Sequence, residues 1–233
     1  MAKLHDMVRE GRPLIVGSIG ESSGLGVDPG PERCDVVEVR LDLVGTGPEV
    51  VRYCRDHAPR VPILMTARHP GEGGAGELSA EARSEALRAG LDHAAAIDVE
   101  IRSLESMEGV WKEAGARRRL RIASYHDFDE APRPEKLAPY ILTAQEAGAD
   151  VVKFAFRVAE PGELHSVAAL LRLGAPLPLA VMGMGPLGPA SRVLAMQLGS
   201  ILNYGYLGDG PTAPGQWPAS LLAGARDAGG FAG

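Results

Sequence analysis

Apolar and polar positions along this chain fall into a repeating block. Short apolar, often β-branched runs recur roughly every 20–35 residues, at 14–18, 35–41, 61–66, 96–101, 120–124, 150–156, 177–182 and 200–204. Runs of this length and composition read as buried strands. Most of the intervals carry helical periodicity. Segment 79–93 has Ser79 as an N-cap, Glu81 in the first turn, and Ala82, Ala86, Leu87 and Leu91 at helical spacing. Segment 134–147 places Leu137, Ile141 and Ala144 on one stripe, and Gly148 suits the position just past a helix end. Segment 163–173 carries Leu164, Val167, Leu170 and Leu171, and segment 189–199 opens on a proline and pairs Leu194 with Leu198. The connection 20–31 is rich in Gly and Pro and reads as a loop.

Strands that alternate with helices imply parallel pairing, because parallel neighbours need a right-handed crossover. Eight such units in 233 residues fit the (β/α)8 TIM barrel, which usually spans ~250 residues. A doubly wound open sheet is the alternative, and it wants a glycine fingerprint after the first strand. Here Gly17, Gly20, Gly24 and Gly26 do not follow GxGxxG spacing. No linker or repeat interrupts the pattern, so residues 1–233 read as a single barrel domain.

Charge removes several function classes. The chain carries 24 Lys plus Arg against 30 Asp plus Glu, a net −6. Its one basic cluster, Arg117, Arg118, Arg119 and Arg121, precedes a strand and reads as a solvated face, which disfavours a nucleic-acid partner. No apolar run reaches ~18 residues, so no membrane partner is expected. The polar N-terminus does not resemble a signal peptide, and Cys34 and Cys54 fit no zinc or CxxC spacing. Free thiols in a cytoplasmic protein are the expectation. No trio of His and carboxylates has metal spacing, so no metal is expected.

In a barrel, chemistry sits at the C-terminal strand ends. Polar residues gather in or just after the apolar runs: Ser18; Glu38, Arg40 and Asp42; Thr66 and Arg68; Asp98, Glu100 and Arg102; Ser124 and His126; Lys153; Arg192; and 212–216. A period of 2 turns Glu38, Arg40 and Asp42 to one side of their strand, and Asp98, Glu100 and Arg102 to one side of theirs. If Val and Leu face the helices, both sets point into the barrel, as a structural ion-pair network or as a site. Only four of the 24 basic residues are lysines, and Lys153 alone lies in an apolar strand. Desolvation lowers the pKa of an ammonium, and a neutral amine attacks carbonyls to form a Schiff base. The bland reading is a lysine that pairs with a barrel carboxylate. His126 at a strand end suits a proton shuttle, with His69 a weaker candidate. On residue chemistry alone, Glu72 in its glycine loop reads as an ordinary exposed carboxylate.

The segments EVRLD (38–42), TARHPGEGG (66–74), DVEI (98–101), SYHDF (124–128), VVKFAF (151–156), MGMGPLGPASR (182–192) and APGQ (213–216) resemble type I 3-dehydroquinate dehydratase, in that family's order. The resemblance implies a (β/α)8 barrel that dehydrates 3-dehydroquinate to 3-dehydroshikimate in the shikimate pathway, without a cofactor and as a homodimer. It matches Lys153 to the Schiff-base lysine, His126 to the general acid/base and Glu72 to the carboxylate beside that histidine. Ser18, Glu38, Arg40, Arg68, Arg192 and Gln216 match substrate-binding positions. Asp98 matches an acidic site residue, with Glu100 as its competitor. Thr212 stands where the family usually has serine before APGQ; the hydroxyl survives and a methyl is added. A class I aldolase acting on a phosphosugar is the alternative enzyme, in which the Gly-rich run 182–188 would cradle a phosphate. A non-catalytic binding barrel is the alternative from another class. For a carboxylate substrate, Arg40, Arg68 and Arg192 would focus positive charge at the barrel mouth despite the net −6.

Overall fold

The computed structural model describes residues 2–229. Eight strands form the sheet: β1 (Leu14–Ile19), β2 (Val36–Arg40), β3 (Ile63–Thr66), β4 (Ala96–Glu100), β5 (Leu120–Asp127), β6 (Val151–Arg157), β7 (Leu179–Met184) and β8 (Leu202–Tyr206). All ladders are parallel, in the order β7-β6-β5-β4-β3-β2-β1-β8. The helices are α1 (Ala2–Arg9), α2 (Leu41–Val44), α3 (Pro48–His57), α4 (Ala80–Gly90), α5 (Glu108–Ala116), α6 (Pro134–Glu146), α7 (Leu164–Leu171), α8 (Gly188–Gln197) and α9 (Ala219–Ala228). The arrangement is the expected (β/α)8 barrel, nearly closed. Local signals work as anticipated: Ser79 Oγ accepts from Ala82 N–H at 3.2 Å to cap α4, and Gly148 takes a positive φ after α6. Among the described residues, no helix is long and apolar enough to cross a membrane.

Strand alternation divides the core in two. Outward residues such as Ile15, Val37, Val39, Met65, Val99, Phe154 and Val181 pack under the helices. Inward residues Leu14, Val16, Val36, Leu64, Ile122, Val151 and Ala180 fill the barrel's N-terminal half. Leu4 and Val8, one helical turn apart on α1, join this inner cluster and plug the barrel floor. Above that floor the inward positions become polar, and there the site begins.

At the seam between β7 and β8, where no ladder forms, serine hydroxyls of the connection through α8 accept two β7 amides. Val181 N–H donates to Ser200 Oγ at 3.0 Å, and Gly183 N–H donates to Ser191 Oγ at 2.9 Å. Ile201 N–H adds one backbone bond to Leu179 O at 2.9 Å. Ser200 is fully buried, so Ser200→Ala leaves an amide without its acceptor. The expected loss is about 1–3 kcal/mol in urea unfolding, with the denaturant slope unchanged.

Three sequence expectations are corrected. β2 ends at Arg40, so Asp42 lies in the first turn of α2 and not on the inward strand face. β4 ends at Glu100, and a 3-10 turn over Ile101–Ser103 swings Arg102 out of the barrel to half exposure. Arg119, placed with the solvated arginines, is buried, while Arg117 and Arg118 are exposed.

Candidate active site

Register assembles the polar layer. Ser18 lies opposite Glu38, Arg40 opposite Thr66, Thr66 opposite Asp98, and Ser124 opposite both Glu100 and Lys153. Ser18, Glu38, Thr66, Asp98, Ser124 and Lys153 occupy the first inward position above the apolar floor and Arg40 and Glu100 the next, so residues up to 135 positions apart in the chain are brought together. Ser18, Glu38, Arg40, Arg68, Glu72, His126, Lys153, Arg192, Thr212 and Gln216 all line a single pocket at the C-terminal mouth. Asp98 sits behind Lys153. Gly73, Phe128, Ala155, Met182, Met184, Tyr204 and Ala213 complete the wall. Sequence reasoning missed these because an apolar residue lining a pocket carries the same pattern as one in a core.

Lys153 is buried, and its Nζ donates to Asp98 Oδ2 at 3.0 Å and lies 4.0 Å from Glu38 Oε1. The Tyr204 ring is 4.3 Å from Nζ. Burial lowers the Lys153 pKa, and Arg68 lowers it further, while Asp98 and Glu38 pull it back up. The net shift is downward, toward the neutral nucleophile. Asp98 shows the opposite balance: burial raises its carboxyl, but Arg68 and Lys153 hold it well below the usual carboxylate range. It therefore stays ionised beside the amine. Ser124 Oγ and Arg68 Nη1 also donate to Asp98 Oδ1, at 2.6 and 2.9 Å. Asp98, not Glu100, is the carboxylate at Lys153. Glu100 instead accepts from Arg68 Nη1 at 2.8 Å, from Arg83 Nη1 at 2.6 Å and from the His69 amide at 2.9 Å.

Glu72 and His126 form the second cluster. The Glu72 side chain is buried and accepts the His126 N–H at 2.8 Å, with His126 Nδ1 at 2.9 Å from the same oxygen. Burial pushes the Glu72 carboxyl up to about 7. Burial also holds the imidazole well below its ordinary value, with Arg68 and Lys153 adding to the effect. Burial thus disfavours the charged form of both groups, and because they are in contact they titrate as a coupled pair. With Nδ1 turned to Glu72, Nε2 is left for other chemistry. His69 does not join them. Its Nδ1 accepts from Gly71 N–H at 2.9 Å and caps the turn that carries Glu72.

The expected focus of positive charge is reduced by neighbours. Arg40 is bound through Nε and Nη2 to Asp42 at 3.0 and 2.8 Å, and Arg68 lies against Asp98 and Glu100. Among the described residues, Arg192 has no carboxylate partner. It is 1% exposed, its Nη1 donates to Tyr204 O at 2.8 Å, and its Nε makes no hydrogen bond. Burial brings its pKa down to about 10. A buried guanidinium that lacks an anion marks a place built to receive one.

Two loop features bear on the sequence expectations. Gln216 Oε1 accepts from both the amide and the hydroxyl of Thr212, each at 2.8 Å, so the threonine closes its own loop. Its methyl sits against Gly20, where a Cβ would come within 2.5 Å of Thr212 Cγ2. The Gly-rich run after β7 is already engaged. Gly183 N–H donates to Ser191, Gly185 N–H to Pro214 O, Leu187 N–H to Val158 O and Gly188 N–H to Gly185 O. Those amides do not form a phosphate cradle.

The family model for type I 3-dehydroquinase matches residues 29–227. The chain is 36% identical over 207 residues to a 3-dehydroquinate dehydratase from Methanothrix thermoacetophila, covering 88% of this chain and 86% of that protein. It is 34% identical over 223 residues to one from Halobacterium salinarum, covering 90% and 95%. The fold matches a crystal structure of type I 3-dehydroquinate dehydratase from Clostridium difficile with covalently modified comenic acid. That match has a TM-score of 0.80 at 23% identity, over 94% of this chain and 92% of that one. A pocket with a buried strand lysine, a carboxylate–histidine pair and an anion-seeking arginine thus sits in a chain that belongs to the type I 3-dehydroquinase family.

Proposed function

We propose that this chain, as a single catalytic barrel, dehydrates 3-dehydroquinate to 3-dehydroshikimate through an imine on Lys153, as a step of the shikimate pathway. The observation that carries the reading is the pairing, in one pocket, of the buried Lys153–Asp98 contact with Arg192, a buried cation without a carboxylate partner among the described residues. Arg192 takes the substrate carboxylate. The Lys153 amine adds to the C3 ketone, and loss of water leaves a protonated imine. That nitrogen keeps a positive charge, which Asp98 and Glu38 already face. The imine withdraws electrons from C2, and His126 removes the C2 proton to give an enamine. The enamine expels the C1 hydroxyl, which leaves as water with the proton that His126 returns. Hydrolysis of the imine then frees the amine and restores the ketone. Glu72 steadies the charge that His126 gains. Glu38, Arg40, Arg68 and Gln216 hydrogen-bond the ring hydroxyls, with Ser18 and Thr212 completing the frame. This chemistry needs no cofactor. The reading extends to a cytoplasmic homodimer, whose mass sedimentation equilibrium would measure.

The test is to trap the protein with 3-dehydroquinate and borohydride and to map the adduct by peptide mass. The expected product is one reduced adduct on the peptide containing Lys153. Dehydration that proceeds with Lys153 unmodified overturns the imine mechanism. Adduct formation with a phosphosugar ketone, but not with 3-dehydroquinate, would favour an aldolase.

Arg192 supplies a second prediction. Arg192→Met removes an unpaired buried charge and the anchor for the carboxylate together. KM is expected to rise about 30-fold or more, because a buried hydrogen-bonded charge pair carries ~2 kcal/mol or more. The melting temperature of the ligand-free variant should rise at the same time, since a desolvated cation is replaced by an apolar side chain of similar length. Calorimetry and steady-state kinetics on one preparation measure both.

A further inference from the structure

Arg102 lies outside the pocket, in the 3-10 turn that ends β4, and its side chain is half exposed. Its Nε is 2.8 Å from Glu72 Oε1, while the other oxygen, Oε2, faces His126. Oε1 accepts no aligned hydrogen bond among the described residues, so the Arg102 contact is an ion pair, with the guanidinium set against the outer side of the carboxylate. We propose that Arg102 is a positioning residue that holds the Glu72 carboxylate ionised and aimed at His126. The proposal rests on the reading of His126 as the proton-transfer group.

The charges around Glu72 explain why Arg102 matters. Arg68 after β3, Glu100 on β4, Arg102 beyond it and His126 on β5 all face the carboxylate. Arg68 is already shared between Asp98 and Glu100, at 2.9 and 2.8 Å. Glu100 repels Glu72. Arg102 makes no other ion pair among the described residues, so Glu72 is its one carboxylate partner there. Its half-exposed position lets the guanidinium keep part of its hydration while it touches a carboxylate that is 1% exposed. Burial drives Glu72 up to about 7, so the carboxylate sits where a modest change in nearby charge decides whether it is ionised.

The working form, with ionised Glu72 and neutral His126, is a net −1; one more proton makes it neutral. Removing a neighbouring positive charge favours the protonated, idle form. The pair then takes up its proton at higher pH, and the acid limb of turnover moves upward.

The experiment compares the wild-type chain with Arg102→Gln and Arg102→Lys. In Arg102→Gln the acid limb of kcat should move up by about 1 pH unit, the lower end of the shift an adjacent opposite charge produces. That is about a tenfold loss of kcat on the acid side, with rates converging on the plateau and KM little changed. Arg102→Lys should recover most of the shift. The imidazole of His126, followed by NMR in the substrate-free protein, should show the same displacement of its titration midpoint. A Gln variant whose acid limb stays in place, or whose kcat falls equally at every pH, overturns the proposal. An unmoved NMR midpoint does so even if the protein has no dehydratase activity. Failure of the wild-type chain to dehydrate 3-dehydroquinate or to form the Lys153 adduct would instead count against the proposed function.

Discussion

Replacing Lys153 with methionine is expected to lower dehydration by on the order of 10⁴-fold or more and to abolish the borohydride adduct. Methionine keeps the length of the side chain and removes the amine. The fold should survive the change. Asp98 loses one cation but keeps Arg68 Nη1 at 2.9 Å and Ser124 Oγ at 2.6 Å, so the buried carboxylate is not left without partners. Circular dichroism and a melting curve on the same sample separate lost chemistry from lost structure. A folded variant that keeps more than about a tenth of wild-type turnover would remove Lys153 from the mechanism. The effect is large because, among the described residues, no other lysine lines the pocket.

His126→Ala is expected to cut turnover by about 10²–10⁴-fold while leaving imine formation partly intact. The two clusters are separate in the structure, which is why the steps should separate. Lys153 is oriented by Asp98, whereas His126 is oriented by Glu72. In the variant, borohydride should still label the Lys153 peptide, now with substrate that has not lost water. Mass spectrometry distinguishes that adduct from the dehydrated one. Loss of the label together with loss of turnover would show that His126 is needed to form the imine as well as to move the C2 proton. The neutral imidazole required of a base is favoured by burial and by the Arg68 and Lys153 charges, which hold His126 well below its ordinary range.

Much of this pocket is legible in the sequence. The strand that carries Lys153 is marked by five apolar neighbours in 151–156, and a lysine among them is conspicuous. Asp98 was reached by the period of 2, which holds because β4 runs straight through it to Glu100. The same rule failed for Asp42 and Arg102. Each lies two residues past its strand, where the chain has turned into α2 or a 3-10 turn and alternation no longer applies. Both still serve the site from outside. Asp42 accepts from the Arg68 and Ala75 amides, each at 3.1 Å, and so ties down both ends of the segment that carries Glu72. Arg83 was hidden for another reason. A charged residue on a helix reads as solvated, yet this one is 2% exposed and reaches Glu100 and Ser103.

Local sequence is enough for the alternation of strand and helix, for the parallel barrel that follows, and for a lysine at 153 set among apolar neighbours. Those depend on local periodicity and composition, which a chain carries whatever its neighbours. How the charges cancel is set by the packing of the barrel. Arg40, Arg68 and Arg192 look alike as residues, yet the first is neutralised by Asp42 two positions away and the second by carboxylates 30 and 32 positions away. The third is buried with no carboxylate against it among the described residues. Electrostatic energy depends on distance and on the medium between charges, and both are set when strands far apart in the chain are brought into register.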